Sequence, residues 1–442
     1  MARTGSHPRL VQKSRARIAI LVTSVTTVLI LAATLTPGDP RLLEPTSIFC
    51  LVCGSRGLVD VLLNLGLFVP FGAARRLAGT GARRTAVSAL LLSLAVEATQ
   101  YALLVGRDAS LSDLLTNTGG ALIGWALLAR APQWLAPSPS LAPRLATAWW
   151  LIWLGTLGVG AWGLQPDPAP PTDAVAMLLP PSGRYRAFEG IVREPRLAGT
   201  VASPVLAGSA LRDALAAPVL EMSAWVRPAY PPGLTRPIVF AFGREDHELA
   251  LLAQRRRELR FVTRTNAARI RLQNLEVALP GAFPRAPGGD PRRAPEVHVA
   301  GRRTPTHVEL DATGPAGTRR LVVPLSPNLT WTFVAPFDLR YDRRGPLRTA
   351  LWLGGWLLPL GYWAGRGGRG PGGAALLGLA IILPMLAVPA LAGFAPVPRW
   401  EWIAAMLGAS LGWTAAVASR YADARRAAAS CRAPAPRPDY AS

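Results

Sequence analysis

Eight apolar stretches constrain this chain more than any other feature, because a run of roughly 20 apolar residues is what a helix needs to cross a bilayer. They lie at Ile18 to Thr36, Leu58 to Ala74, Ala86 to Val105, Leu111 to Ala129, Ala146 to Leu164, Thr349 to Ala364, Gly373 to Phe394 and Trp400 to Ser419. The second and sixth are short. Half of the 442 residues are hydrophobic, only 17% are charged, and the mean hydropathy is +0.26. That balance excludes intrinsic disorder and is too apolar for an ordinary soluble enzyme of this size. An α-helical polytopic membrane protein of about eight transmembrane helices is therefore expected.

The charge then orients the spans. The formal net charge is +22, and every cation except Lys13 is an arginine. Short cytoplasmic loops hold an excess of Lys and Arg. With the N-terminus inside, the inner segments carry 18 cations and the short outer loops four, namely Arg41, Arg56, Arg107 and Arg399. The alternation predicts both termini in the cytoplasm of a bacterial cell and the long segment between the fifth and sixth spans outside. A basic leader before an apolar run is also the form of a signal peptide. The first run is long for one, however, and the sequence near Ala32 and Ala33 is a poor cleavage site. Trp149, Trp150, Trp162, Trp352, Trp363, Trp400 and Trp402 lie near span ends, where amphipathic rings favour the interface.

Spans two to four carry polar residues that lipid exposure would not tolerate. Asp60 and Asn64 stand four apart, Glu97 and Gln100 three apart, and Asp113 and Asn117 four apart, so each pair shares one helix face. In the expected topology all six lie in the outer half of the membrane. An intramembrane carboxylate costs several kcal/mol when unpaired, and Arg107 in the loop between spans three and four is the nearest candidate partner for Glu97. Three readings stand open: interhelical hydrogen bonds assisted by the small residues around Gly119 and Gly120, a binding or catalytic site for an amphipathic substrate, or an ion path.

The stretch DVLLNLGLFVPFG from Asp60, followed by EATQYALLVGRDASLSDLLTNTGGALIG from Glu97, strongly resembles the VanZ-like family of bacterial membrane proteins, as does the earlier Thr34-Leu-Thr-Pro37. The resemblance covers residues 18–130. It implies a four-helix unit whose polar signature is Asp60, Asn64, Glu97, Gln100, Arg107, Asp113 and Asn117. The family takes its name from a protein linked to glycopeptide resistance, and the resemblance assigns no reaction to these residues.

The polar segment between spans five and six opens with a Pro-rich linker, residues 165–181, and reads as β structure over 182–345. Short β-branched or aromatic runs recur between turns: Met222 to Val226, Ile238 to Phe242, Leu249 to Leu252, Leu259 to Thr263, Ala268 to Leu272, Val297 to Ala300, Val308 to Leu310, Leu321 to Leu325 and Thr330 to Val334. Many short strands without a convincing helix predict an all-β sandwich or jelly roll outside the membrane. Met222-Ser-Ala-Trp-Val-Arg-Pro228 and the IVFAFG strand from Ile238 resemble a concanavalin A-like or laminin-G-like domain, which implies glycan or calcium binding. Calcium lacks an acidic cluster to hold it. Glu245 and Asp246 read as a turn. The segment holds 25 arginines against 15 acids. A basic outer face suits anionic wall polymer or lipid headgroups, and nucleic acid is disfavoured outside the cell.

Cys50 and Cys53 could form a local disulfide in the first outer loop, where an oxidising compartment permits one. Cys431 belongs to the tail. Three cysteines and four scattered histidines give no metal framework, and no cofactor motif is present. The sequence thus predicts a cytoplasmic N-terminus (1–17), the VanZ-like unit, a fifth helix (146–164), the linker, the β domain, three closing helices (349–419) and a basic cytoplasmic tail (420–442). The expected function is binding of an envelope glycan or lipid in the cell membrane. An enzyme acting on a lipid-linked glycan or phospholipid and a structural scaffold are the alternatives.

Overall fold

The computed structural model describes residues 7–35, 51–52, 54, 56–104, 110–167, 175–177, 188–201, 205–228, 235–242, 248–284, 293–336, 339–368 and 370–432. The chain divides into two compact units. One holds residues 1–130, 158–345 and 389–396, the other residues 131–157, 346–388 and 397–442.

Helices form over all eight apolar stretches. They are α1 (His7–Thr34), α2 (Gly57–Leu77), α3 (Ala82–Leu103), α4 (Leu111–Ala129), α6 (Leu141–Gly163), α9 (Gly345–Arg366), α10 (Gly370–Leu391) and α11 (Arg399–Arg432), with a short α5 (Ala131–Leu135) before α6. Six are long and apolar enough to cross a membrane: α1 over Arg17–Thr34, α2, α3, α6, α10 and α11 over Arg399–Ala428. Asp113, Asn117 and three glycines dilute the apolar content of α4, and Arg348 and Arg366 that of α9.

In the first unit α2 and α4 approach until their backbones touch. A Cβ at Gly72 would overlap the carbonyl oxygen of Ala121, one at Gly120 that of Leu65, and one at Gly124 that of Val69. Small residues at a helix interface permit this closeness, which maximises dispersion contact where lipid removes any hydrophobic drive. Ile30, Phe68, Phe71, Ala89 and Ala121 form the adjacent buried cluster. Phe68 and Phe71 meet edge to face at 6.1 Å.

The polar segment folds into two antiparallel six-stranded sheets. The first has the order β4 (Val205–Ala207), β1 (Val175–Met177), β6 (Thr235–Phe242), β7 (Glu248–Arg255), β8 (Glu258–Thr263) and β9 (Glu276–Leu279). The second has the order β12 (Gly317–Pro324), β11 (His307–Gly314), β10 (Val297–Arg303), β5 (Leu220–Arg227), β2 (Ile191–Leu197) and β3 (Thr200–Val201). Period-two alternation sends Met222, Ala224 and Val226 inward. Gly301 on β10 leaves room for the Phe261 ring of β8, which a Cβ would strike. The sheets therefore pack face to face as a sandwich.

The structure adds β2, β3, β4 and β9, which lie outside the runs read as strands, and corrects the sequence reading of this segment in four further places. β1 lies inside the stretch read as linker. Helix α7 (Gly208–Ala216) occurs where no helix was expected; it is one amphipathic turn pair that buries Leu211 and Ala214. Ala268 to Leu272 is not a strand, because α8 (Asn266–Arg269) turns there. Thr330 to Val334 belongs to a buried 3-10 helix, Pro327–Val334. Ser326 starts that helix by accepting from the Asn328 N–H at 3.2 Å, with Pro327 preset for the first turn.

Residues 158–163, the last turns of α6, belong with the sandwich. Gly160 lies against the Pro327 carbonyl and Gly163 against the Phe333 ring. The open carbonyls at the helix end are taken up by the β domain: Asn266 donates to the Trp162 carbonyl at 3.2 Å, and the buried Arg303 guanidinium donates to the Leu164 carbonyl. Arg303 also donates to Thr263 Oγ1 at 2.8 Å. A cation at a helix C-terminus complements the macrodipole, although burial pushes the Arg303 pKa down to about 10.

In the second unit Trp153, Leu157, Leu353, Leu357 and Ile381 anchor the core. The indole N–H groups of Trp149, Trp150 and Trp363 donate to the carbonyls of Trp356, Ala380 and Trp134 at 2.7, 2.8 and 2.8 Å. Arg366 joins Asp423 at 2.8 Å. Pro359, Pro384 and Pro389 lie within continuous helices.

Gly124→Val should drive α2 from α4 and lower the thermal midpoint of the detergent-solubilised protein by a margin consistent with about 1–3 kcal/mol of overpacking. Gly119→Ala meets only the tip of Leu65 and should leave the midpoint unchanged.

Candidate functional site

The polar residues of α2 to α4 are held by hydrogen bonds that run between helices. Asn64 on α2 donates to Asp113 Oδ1 on α4 at 2.7 Å. Asn117, one turn further along α4, faces the other way and donates to Ser93 Oγ on α3 at 2.9 Å. The i, i+4 pair on α4 thus reaches both neighbours. On α3, Gln100 donates to the Thr34 carbonyl at the end of α1 at 2.9 Å. Glu97 Oε2 accepts the Ser110 N–H at 3.0 Å.

Ser110 is the N-cap of α4, and its hydroxyl accepts from the Ser112 N–H. The Glu97 carboxylate therefore sits at the positive end of the α4 dipole, an arrangement that favours an anion. Asp113 occupies the first turn of the same helix. The two carboxylates meet at one helix start, although they do so through backbone rather than as a facing pair. Ser112 extends this junction by donating to the Leu51 carbonyl at 2.6 Å.

Burial separates these residues into two kinds. Glu97, Gln100 and Asn117 are 5, 5 and 3% exposed, whereas Asn64 and Asp113 are half-buried and Asp60 is exposed. The buried set ties the bundle together. The more exposed set places an amide and two carboxylates along α2 and α4. Asn117 Oδ1 is buried without a hydrogen-bond partner among the described residues.

Arg107, proposed from sequence as the partner of Glu97, lies outside the described residues, as do Cys50 and Cys53. The sequence reading passed over Ser93, Ser110 and Ser112. Ser93 is four residues before Glu97 on the same face of α3, so its burial was available from the helical period; Ser110 precedes the fourth apolar run and Ser112 is the second residue of it, and no spacing singles out either. Among the described residues no cluster of three or more His, Cys, Asp or Glu side chains could hold a metal ion.

A family model described as VanZ/LLP1 matches residues 11–132. The N-terminal helical unit is similar to that family. The match spans α1 to α4 and so contains all seven polar residues. No curated protein and no solved structure matches the chain.

The β domain approaches the VanZ-like unit at the same end. Arg271, in a left-handed turn after α8, donates to the Val52 carbonyl, and Val52 packs against Gly57 at the start of α2. Leu51 and Val52 thus bridge the α4 start, through Ser112, to the β domain, through Arg271.

Replacing Glu97 by Gln keeps an acceptor for the Ser110 N–H, whereas Glu97→Leu leaves that part-buried donor without its carboxylate acceptor. Thermal unfolding in detergent should show the Leu variant destabilised by about 1–3 kcal/mol and the Gln variant affected much less.

Proposed function

We propose that this chain is a bacterial cell-envelope membrane protein that binds an amphipathic envelope molecule at the outer end of its VanZ-like unit, with the β domain outside the cell contributing contacts to a glycan or anionic headgroup. The orientation rests on the 18 to four distribution of cations in the sequence. The observation that carries the binding reading is the half-exposed Asn64–Asp113 pair, with exposed Asp60 on the same face of α2, at the end of the helices where Arg271 meets Val52.

Binding fits this geometry better than catalysis. A general acid or base must reach the reacting atom, and Glu97 is buried on a backbone N–H at the α4 cap. Asp113 is the more accessible carboxylate, but its hydrogen bond to an amide suits holding a headgroup more than transferring protons. A concanavalin A-like or laminin-G-like identity for the sandwich, and any link to glycopeptide resistance, rest on the sequence resemblances alone.

The test uses full-length protein in nanodiscs titrated with a hexosyl diacylglycerol, whose sugar hydroxyls can donate to the carboxylates, with phosphatidylglycerol as an anionic amphiphile and phosphatidylcholine as the zwitterionic comparison. Asp113→Ala and Asn64→Ala should each weaken binding of the glycolipid about tenfold or more, since a hydrogen bond to a charged group is worth roughly 1.5–3 kcal/mol. Equal affinity in the wild type and both variants would contradict the proposal.

A further inference from the structure

The outer face of the second sheet carries side chains whose arrangement the helical site does not explain. On β5 the outward positions are Glu221, Ser223 and Trp225, alternating with the buried Met222, Ala224 and Val226. Register pairs Trp225 with Arg193 on β2 and His298 on β10, and pairs Ser223 with Ala300 and Glu221 with Arg302. Three rows therefore cross the strands, and same-face rows stand about 6.8 Å apart.

The middle row is low on β5 and β10, where Ser223 and Ala300 project little, and rises to Arg196 on β2 and Asp311 on β11. One bank is aromatic. Trp225 is 41% exposed, and its ring lies 5.0 Å from the His298 ring, so the two make one continuous surface. The opposite bank is the ion pair of Arg302 with Glu221 at 2.9 Å. The result is a trough running across the sheet, with an aromatic wall and a charged wall.

Its charge is layered. In the pairs Arg193–Glu296, Arg302–Glu221 and Arg320–Asp311 the guanidinium side chain is 62, 48 and 61% exposed, and the acid 27, 37 and 32%. Glu309, also joined to Arg320, is 4% exposed. In these pairs the acids lie beneath and the arginines face outward, whereas the Arg196–Glu194 pair on β2 is reversed, at 48 and 65%. Burial first, and then the neighbouring Glu309 carboxylate, raise the Asp311 pKa.

We infer that this trough is a binding site for an anionic glycan chain, the carbohydrate half of the function proposed above. A sugar ring has an apolar C–H face suited to the Trp225 indole, and its carboxylates suit exposed guanidinium groups, which bind such anions bidentately. The row ends on Arg196 of β2 and on Arg320 beside Asp311, so guanidinium groups stand at both ends of the stretch a glycan would occupy. A lipid surface fits less well, because a planar bilayer would meet projecting side chains and leave the low middle row empty.

The experiment measures binding of polygalacturonate, with neutral dextran and phosphatidylglycerol vesicles as the other probes, to full-length protein in nanodiscs. Wild type should bind the polyuronate in a salt-sensitive manner and dextran at least tenfold more weakly. Trp225→Ala should lose tenfold or more of the polyuronate affinity with an unchanged thermal midpoint, Trp225→Phe should regain most of it, and Arg302→Ala should reduce both the affinity and its salt dependence. Absence of polyuronate binding, equal binding of dextran, or affinity unchanged in Trp225→Ala overturns the inference. Vesicle binding that falls with Arg302→Ala but ignores Trp225 overturns it in favour of a lipid surface. Failure here leaves the Asn64–Asp113 result untouched, because that site is read with amphiphiles and with different variants.

Discussion

The contact between the backbones of α2 and α4 governs the geometry of the rest of the first unit. Three glycines remove the Cβ atoms that would hold the helices apart, and the resulting proximity lets a side chain as short as Asn64 reach Asp113. Separated by the ordinary 8–10 Å between helix axes or more, the same residues would present an amide and a carboxylate to lipid at a cost of several kcal/mol. Close packing and polar pairing therefore depend on each other: glycines set the distance and hydrogen bonds fix the register. The start of α4 then becomes a junction where Glu97, Ser110, Ser112 and the Leu51 carbonyl meet.

Side chains of the β domain reach backbone carbonyls of the helical part. Arg303 and Asn266 occupy the open carbonyls at the end of α6, and Arg271 occupies that of Val52. A guanidinium buried deeply enough to depress its pKa to about 10 is costly, and hydrogen bonds to a helix terminus offset that cost. Together these contacts place the sandwich beside the polar end of the VanZ-like helices, which is the arrangement on which the proposed binding of an amphipathic molecule rests.

Much of this was legible in the sequence, and the legible part follows from length and period. Runs of apolar residues located all eight helices, and α4 begins and ends where its run does. β5 was visible through its alternation and β7 through its continuous apolar run, which is buried on both faces. The short elements were not. Three residues of β1 carry no period, and the 3-10 helix at Pro327 contains the β-formers Thr330, Trp331 and Phe333, whose preference yields to the Ser326 cap and to burial on every side. For the polar site, spacing identified the residues but not their partners. Helix period places Asp113 and Asn117 on one side of α4, yet only packing decides that one turns to α2 and the other to α3.

The claim on which this account rests is that the sandwich is docked on the polar end of the VanZ-like unit and faces outward. Its most direct test joins Val52→Cys to Arg271→Cys, with Cys50 and Cys53 replaced by serine, using a short, membrane-impermeant bifunctional maleimide on intact cells. The account predicts an intramolecular link recovered as a joined peptide by mass spectrometry. A link formed only after the cells are permeabilised would contradict the outward placement, and no link under either condition would contradict the docking itself.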